Sequence, residues 1–185
     1  MRVITGVARG KNLYTPPGID VRPTAQRVKE AIFSAIQFHI PGARVLDLFA
    51  GSGQMGIEAI SRGASSVTFV DGSDESIRTI RKNLESTALV GCAKVTKADS
   101  FRFLARLQNQ FDIIFIDPPY GLGLAKKALR RSSEHLAPGG FIICETEQKA
   151  GMPEKEGGIA LYKKYRYGQT DIRIYRNSAD VGEEE

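Results

Sequence analysis

Apolar residues along the chain repeat with two periods, and their alternation lays out the fold. Five short runs, Arg44 to Phe49, Ser66 to Val70, about Ala93 to Lys97, Phe111 to Ile116 and Phe141 to Glu145, read as strands. The first and fourth are nearly continuous in apolar residues, as expected for parallel strands covered on both faces. Helical spacing lies between them. Val28, Ile32, Ala35 and Ile36 form one stripe in a helix that opens near Pro23-Thr24 and ends at Pro41-Gly42. Further helices are predicted over Gln54 to Arg62, stopped by Gly63, and over Asp74 to about Glu85. Ser73 caps the latter, and Ile77, Ile80 and Leu84 face inward. A short helix carries Phe101, Leu104 and Leu107, and another spans Leu124 to Leu136.

Strand and helix in regular alternation predict a doubly wound, mostly parallel α/β sheet. The end of the chain breaks the pattern. Ile159 to Arg166 and Thr170 to Tyr175 flank Gly168-Gln169 as a hairpin, which brings the expected strand count to seven. The first 22 residues hold only β-like pieces, Arg2 to Thr5 and Lys11 to Tyr14, broken by glycine and proline. The expected organisation is a small hairpin-and-helix extension over 1–40, an α/β domain over 41–177 and a disordered acidic tail over 178–185.

Composition narrows the classes. A chain of 185 residues with 42% hydrophobic content can bury one core. No apolar run approaches the roughly 18 residues of a membrane helix, and no signal-type stretch follows Met1, so a cytoplasmic location is expected. Cys92 and Cys144 lie far apart and read as buried, reduced structural thiols, and His39 and His135 are isolated. No metal is assigned. The net charge is +5, but four of the acids fall in the last six residues, leaving 26 basic side chains against 17 acidic ones. That balance suits a polyanionic partner.

Asp47 to Gly56 carries the first chemical motif. Gly51 to Gly56 fits a glycine-rich turn entering a helix, with Asp71 lying 20 residues after Gly51, a pattern that also describes a dinucleotide site. Asp47 at the tip of the first strand separates the two readings, because a diphosphate gains nothing from a carboxylate there. A sulfonium and an ammonium both do. S-adenosylmethionine is therefore the expected cofactor: Asp47 meets its ammonium, Gly51 and Gly53 shape the turn beside Phe49 and Ala50, and Asp71 takes the ribose hydroxyls. Asp99, with Ser100 next to it, reaches the adenine.

Asp117-Pro118-Pro119-Tyr120, directly after an apolar strand, is the second motif. The lone pair of an exocyclic amine on a base is delocalised into the ring, so the nitrogen is a poor nucleophile. Two fixed acceptors, the Asp117 carboxylate and the Pro118 carbonyl, can hold both amine hydrogens and turn the lone pair towards a sulfonium methyl. Pro118 and Pro119 stiffen the loop, and Tyr120 can stack on an extruded base. With no cysteine in this loop, a thiol-dependent attack at a ring carbon is disfavoured.

Together with Met1-Arg2-Val3-Ile4 through Arg9-Gly10, and with Arg22-Pro23-Thr24, Arg27, Glu30 and Phe33, these motifs resemble the RsmD family of small-subunit ribosomal RNA guanine-N2 methyltransferases. The similarity runs over about residues 1–176. It implies a Rossmann-like methyltransferase fold and methylation of one guanine N2 in 16S rRNA. It also implies a small-subunit assembly intermediate as substrate and a monomeric enzyme. One departure is Gly72-Ser73 after Asp71, where bulkier residues are common. In this light Arg9, Lys11, Arg22, Arg27 and Lys126 are the expected RNA contacts, within an N-terminal basic group that also holds Arg2 and Lys29. Three alternatives stay open: an adenine or cytosine amino-methyltransferase, a protein glutamine methyltransferase, and a non-catalytic RNA-binding or nicotinamide-binding module.

Overall fold

Five apolar runs become five strands in the computed structural model, which describes residues 1–15, 23–121 and 123–181. The chain divides into two compact units, Met1–Ser100 and Phe101–Glu185.

In the first unit, helix α1 (Pro23–Ala35) precedes strand β1 (Arg44–Leu48), helix α2 (Gln54–Ser61), strand β2 (Ser66–Asp71), helix α3 (Asp74–Thr87) and strand β3 (Ala93–Lys97). The strands run parallel in the order β3-β2-β1. Both crossovers are helices, with α2 packing on β1 and β2 and α3 on β3. Val45, Leu46 and Leu48 are fully buried, as are Phe69 and Val70 on β2. The predicted stripe of α1 is buried at Val28, Ile32 and Ile36, joined by Phe33. Ser73 accepts hydrogen bonds from Glu75 and Ser76 as the cap of α3, whose Ile77, Ile80 and Leu84 are buried as expected.

The segment before residue 16 is less regular than a hairpin. A single antiparallel bridge joins Arg2 to Asn12, with backbone bonds from Val3 to Lys11 and from Leu13 to Met1. Glycines at 6 and 10, both at positive φ, turn the chain before a ladder can lengthen.

Helix α4 (Ser100–Leu104) begins at the last residue of the first unit. The second unit then holds strand β4 (Phe111–Ile116), helix α5 (Leu124–Ser132), strand β5 (Leu136–Glu147), the two-residue strand β6 (Lys155–Glu156), strands β7 (Ile159–Tyr167) and β8 (Thr170–Asn177), and helix α6 (Ser178–Val181). Here β4 and β5 are parallel, and β8, β7 and β6 follow antiparallel in the order β4-β5-β8-β7-β6. All seven expected strands are present, and β6 adds an eighth among the described residues. The fold is Rossmann-like α/β, finished by the antiparallel hairpin of β7 and β8.

Several boundaries differ from expectation. Helix α1 stops at Ala35, ahead of a 3-10 turn at Gln37–His39, rather than running to Pro41-Gly42, and α6 takes up the first residues of the tail expected to be disordered. Helix α5 stops at Ser132, and Leu136 already belongs to β5, which starts before Pro138-Gly139-Gly140 and shifts register there. The two cysteines are also unlike: Cys144 is buried in β5, whereas Cys92 is exposed, because it closes a short 3-10 turn ahead of β3. No helix among the described residues is long and apolar enough to cross a membrane.

Candidate active site

At the carboxyl end of β1 the backbone turns sharply, with Phe49, Gly51 and Gly53 at φ 70°, 55° and 76°. The turn is held by Phe49 and Ala50 N–H groups donating to the Val70 carbonyl, and by Gly53 N–H donating to Ala50. At Gly51 the conformation, not crowding, calls for glycine: an added Cβ would meet nothing within 4 Å. Its N–H donates to Asp71 Oδ2 at 2.9 Å, and Ser73 N–H donates to Asp71 Oδ1 at 2.8 Å. The Asp71 carboxylate is thus oriented by two backbone donors, each oxygen keeping a lone pair for a ligand.

Asp47 is buried, and its Oδ2 accepts from Gly56 N–H in the first turn of α2 at 2.9 Å. Burial pushes its carboxyl up to about 7, against the pull of that hydrogen bond and with help from the Asp71 charge. Asp99 is exposed just beyond β3, beside the buried Ser100. An acid therefore lies at or within two residues of the carboxyl end of each of three parallel neighbouring strands. The donor set suits a ligand with a cationic centre and adjacent hydroxyls: a cation beside Asp47 relieves a buried negative charge, and Asp71 offers two prepared acceptors.

A residue absent from the motifs braces this turn. Asn83 of α3 is fully buried, and its side-chain amide donates to the carbonyls of Ser52 and of Tyr14, each at 2.9 Å. Its Oδ1 accepts from Tyr14 N–H at 2.7 Å. Lys82 lies 3.5 Å over the Tyr14 ring.

The second unit carries the acid-proline turn at the carboxyl end of β4. Asp117, Pro119 and Tyr120 are exposed, and Pro118 is buried. The Tyr120 hydroxyl donates to Glu145 Oε1 at 3.3 Å and lies 3.2 Å from Thr170 Oγ1. Gly121 N–H donates to Glu147 Oε1 at 3.1 Å. Burial pushes the Tyr120 hydroxyl up to about 12, opposed by Thr170 and aided by the charges of Glu145 and Asp117. It stays protonated and serves as a donor at neutral pH.

The basic side chains divide. Arg9, Lys11 and Arg27 are exposed in the first unit and Lys126 in the second, while Arg22 lies outside the described residues. A recess of about 270 Å³ opens beside Arg2, Arg9 and Gln26. Lys29 is a correction: only 2% exposed, it pairs with Glu58 at 3.1 Å and donates to the Arg2 carbonyl at 2.8 Å, so it is no phosphate contact. In the second unit, Lys164 and Arg166 pair with the buried Asp171.

Glu58 was missed although a signal existed. It is a lone charge inside the apolar stretch Ile57 to Ile60, as Lys29 is inside the buried face of α1. Its carboxylate accepts from Ile4 N–H at 2.8 Å, Thr5 N–H at 3.0 Å and Arg62 Nε at 2.8 Å. Ser61 adds to this hub, donating to the Thr5 carbonyl and accepting from Ala8 N–H.

Comparison with known proteins covers nearly the whole chain. The Bacillus subtilis protein YlbH is 40% identical over 95% of this chain and 98% of its own. Ribosomal RNA small subunit methyltransferase D of Escherichia coli is 33% identical, covering 97% of this chain and 91% of that protein. The solved structure of Escherichia coli yhhF, a methyltransferase by its description, superposes with a TM-score of 0.87 at 34% identity, over 97% of this chain and 98% of the other. The family profile described as Conserved hypothetical protein 95 matches residues 1–176. By this near-complete match the chain belongs to the Conserved hypothetical protein 95 family, the RsmD family.

Proposed function

We propose that this protein methylates the exocyclic N2 amine of one guanine in 16S rRNA, with S-adenosylmethionine as methyl donor. The acid-proline turn with its tethered tyrosine carries the reading, because it supplies acceptors for an amine and a ring face for a base. When bound, S-adenosylmethionine supplies an electrophilic methyl on a sulfonium.

The residues of the first unit bind and orient. Asp47 takes the methionine ammonium, directly or through water, and the Phe49-Ala50-Gly51 backbone with Gly53 lies beneath the cofactor. Asp71 takes the ribose hydroxyls, and Asp99 with Ser100 bounds the adenine. In the second unit, Asp117 and the Pro118 carbonyl accept the two amine hydrogens. That withdraws the nitrogen lone pair from conjugation and orients it for an in-line displacement with no covalent intermediate, in which an N–CH3 bond would replace the donor's S–CH3 bond and one amine hydrogen would leave as a proton along its hydrogen bond to Asp117. Pro119 holds the turn stiff, so the acceptors need little reorganisation. Tyr120 stacks on the extruded base. Residues 1–40 form an RNA-contacting extension, in which Arg9, Lys11 and Arg27, with Lys126 from α5, meet phosphates. The substrate is a small-subunit assembly intermediate, and the enzyme acts as a cytoplasmic monomer.

The relatives' small-subunit rRNA methyltransferase names and the basic surface support the substrate. Mass mapping of ribosomal RNA from a strain lacking the gene tests it: one methyl should vanish from one guanine of 16S rRNA. An unchanged methylation map would refute the reading. Calorimetry should show binding of S-adenosylmethionine and none of NAD.

A further inference from the structure

Two carboxylates that no motif includes hold the acid-proline turn in place. Glu145 and Glu147 are the last outward-alternating pair on β5, so they share one face of the strand, with the buried Thr146 turned the other way. Their positions are fixed by the ladder to β8, where Glu145 pairs with Ile172 and Glu147 with Thr170. Both accept from the turn: Glu145 from the Tyr120 hydroxyl, Glu147 from the Gly121 N–H. Thr170 reaches the same hydroxyl from β8. The two contacts of the Tyr120 oxygen, 3.3 Å and 3.2 Å, are longer than a single strong hydroxyl bond, as befits one hydroxyl shared between two partners.

We propose that Glu145 and Glu147 are positioning residues of the methyltransfer site, the first fixing the plane of the Tyr120 ring and the second fixing the backbone that follows it. This rests on the reading of the turn as the amine-gripping element. Hydrogen bonds to a phenol lie near the plane of its ring, so the tether uses the edge and leaves the faces open. Tyr120 is 48% exposed. An untethered side chain that exposed would sample several rotamers, and a base would have to order it on arrival. Held by Glu145 and Thr170, the ring is oriented before the base enters, which is what a stacking platform beside a reacting amine requires.

The test uses the full-length protein, S-adenosylmethionine and small-subunit particles from a strain lacking the gene. Tyr120→Phe and Glu145→Ala should each lower kcat/KM for the particle by about tenfold, the loss of one charge-assisted hydrogen bond, with S-adenosylmethionine affinity unchanged. The double variant should be no worse than either single one. Glu145→Gln keeps an acceptor for the hydroxyl and should stay within about threefold of wild type, and Tyr120→Phe should cost as much in that background as in wild type. Glu147→Ala should lower kcat/KM where Glu147→Gln does not. Additive losses in the Tyr120→Phe and Glu145→Ala pair, or an active Glu145→Ala variant, would overturn the inference while the methylation reading stands. Absence of methyl transfer by the wild-type protein would remove both. Should Glu145→Ala fail to fold, Glu145→Met, which fills the space without offering a carboxylate acceptor, takes its place in the same cycle with Tyr120→Phe.

Discussion

Asp47 is held by the N–H of Gly56, so the acid at the tip of β1 is tied to the helix that follows the glycine turn. The bond satisfies one of its oxygens but does not offset its burial, and the carboxyl stays high, at about 7. The folded chain therefore holds that proton more tightly than the unfolded chain, whose carboxyl has the ordinary value of 3.8. The resulting stabilisation is complete below pH 4 and is lost as pH rises through 7. Ligand-free Asp47→Asn should accordingly gain on wild type between pH 5 and pH 8, by about 2–4 kcal/mol in denaturant unfolding. Its affinity for S-adenosylhomocysteine should fall. Wild-type affinity should rise from pH 5.5 to pH 7.5 with proton release in calorimetry; a flat profile would separate Asp47 from the ammonium.

Asp117→Ala removes an acceptor assigned to the base and not to the cofactor. Turnover should drop by about a hundredfold or more, while calorimetric affinity for S-adenosylmethionine stays nearly unchanged. Equal loss of both would move Asp117 into the cofactor site.

Reversing the charge of Arg9 and Lys11 together should weaken particle binding and flatten its salt dependence. Each lost phosphate contact takes about 0.7–0.9 from the logarithmic slope. Filter binding across a salt series reads this directly, and an unaltered slope would place the RNA elsewhere.

The hub at Glu58 predicts a stability effect away from the chemistry. Glu58→Gln leaves the buried Lys29 ammonium without its counter-charge, at a cost of about 3–5 kcal/mol in denaturant unfolding. The cost should shrink at high pH, because burial already lowers Lys29 and lets it shed the proton. A loss under about 1 kcal/mol would mean that the network is not what secures the N-terminal segment.

Much of this was legible from periodicity. β1 and β4 declare themselves because their apolar runs are nearly uninterrupted, the hairpin because Gly168-Gln169 parts two β-rich stretches, and β3 falls on its predicted residues, Ala93–Lys97. The β5 start was misread because Leu136 continues the helical spacing of α5, and only its pairing with Phe111 reveals it as strand. The site divides on similar lines. Asp47, Asp71 and Asp117 stand beside turn residues and are visible as motifs. Asn83, Glu145 and Glu147 act through backbone and hydroxyl partners 25 to 69 positions away, a relationship that spacing along one chain does not encode.

The first residues are wired into α2 itself. Ile4, Thr5 and Ala8 spend their peptide hydrogens on Glu58 and Ser61, and Arg2 lends its carbonyl to Lys29. A truncation starting at residue 16 would strip the Glu58–Lys29 ion pair of its backbone partners from Arg2, Ile4 and Thr5, as well as remove basic side chains. This arm is therefore built into the first unit through α1 and α2, and its removal should lower that unit's stability.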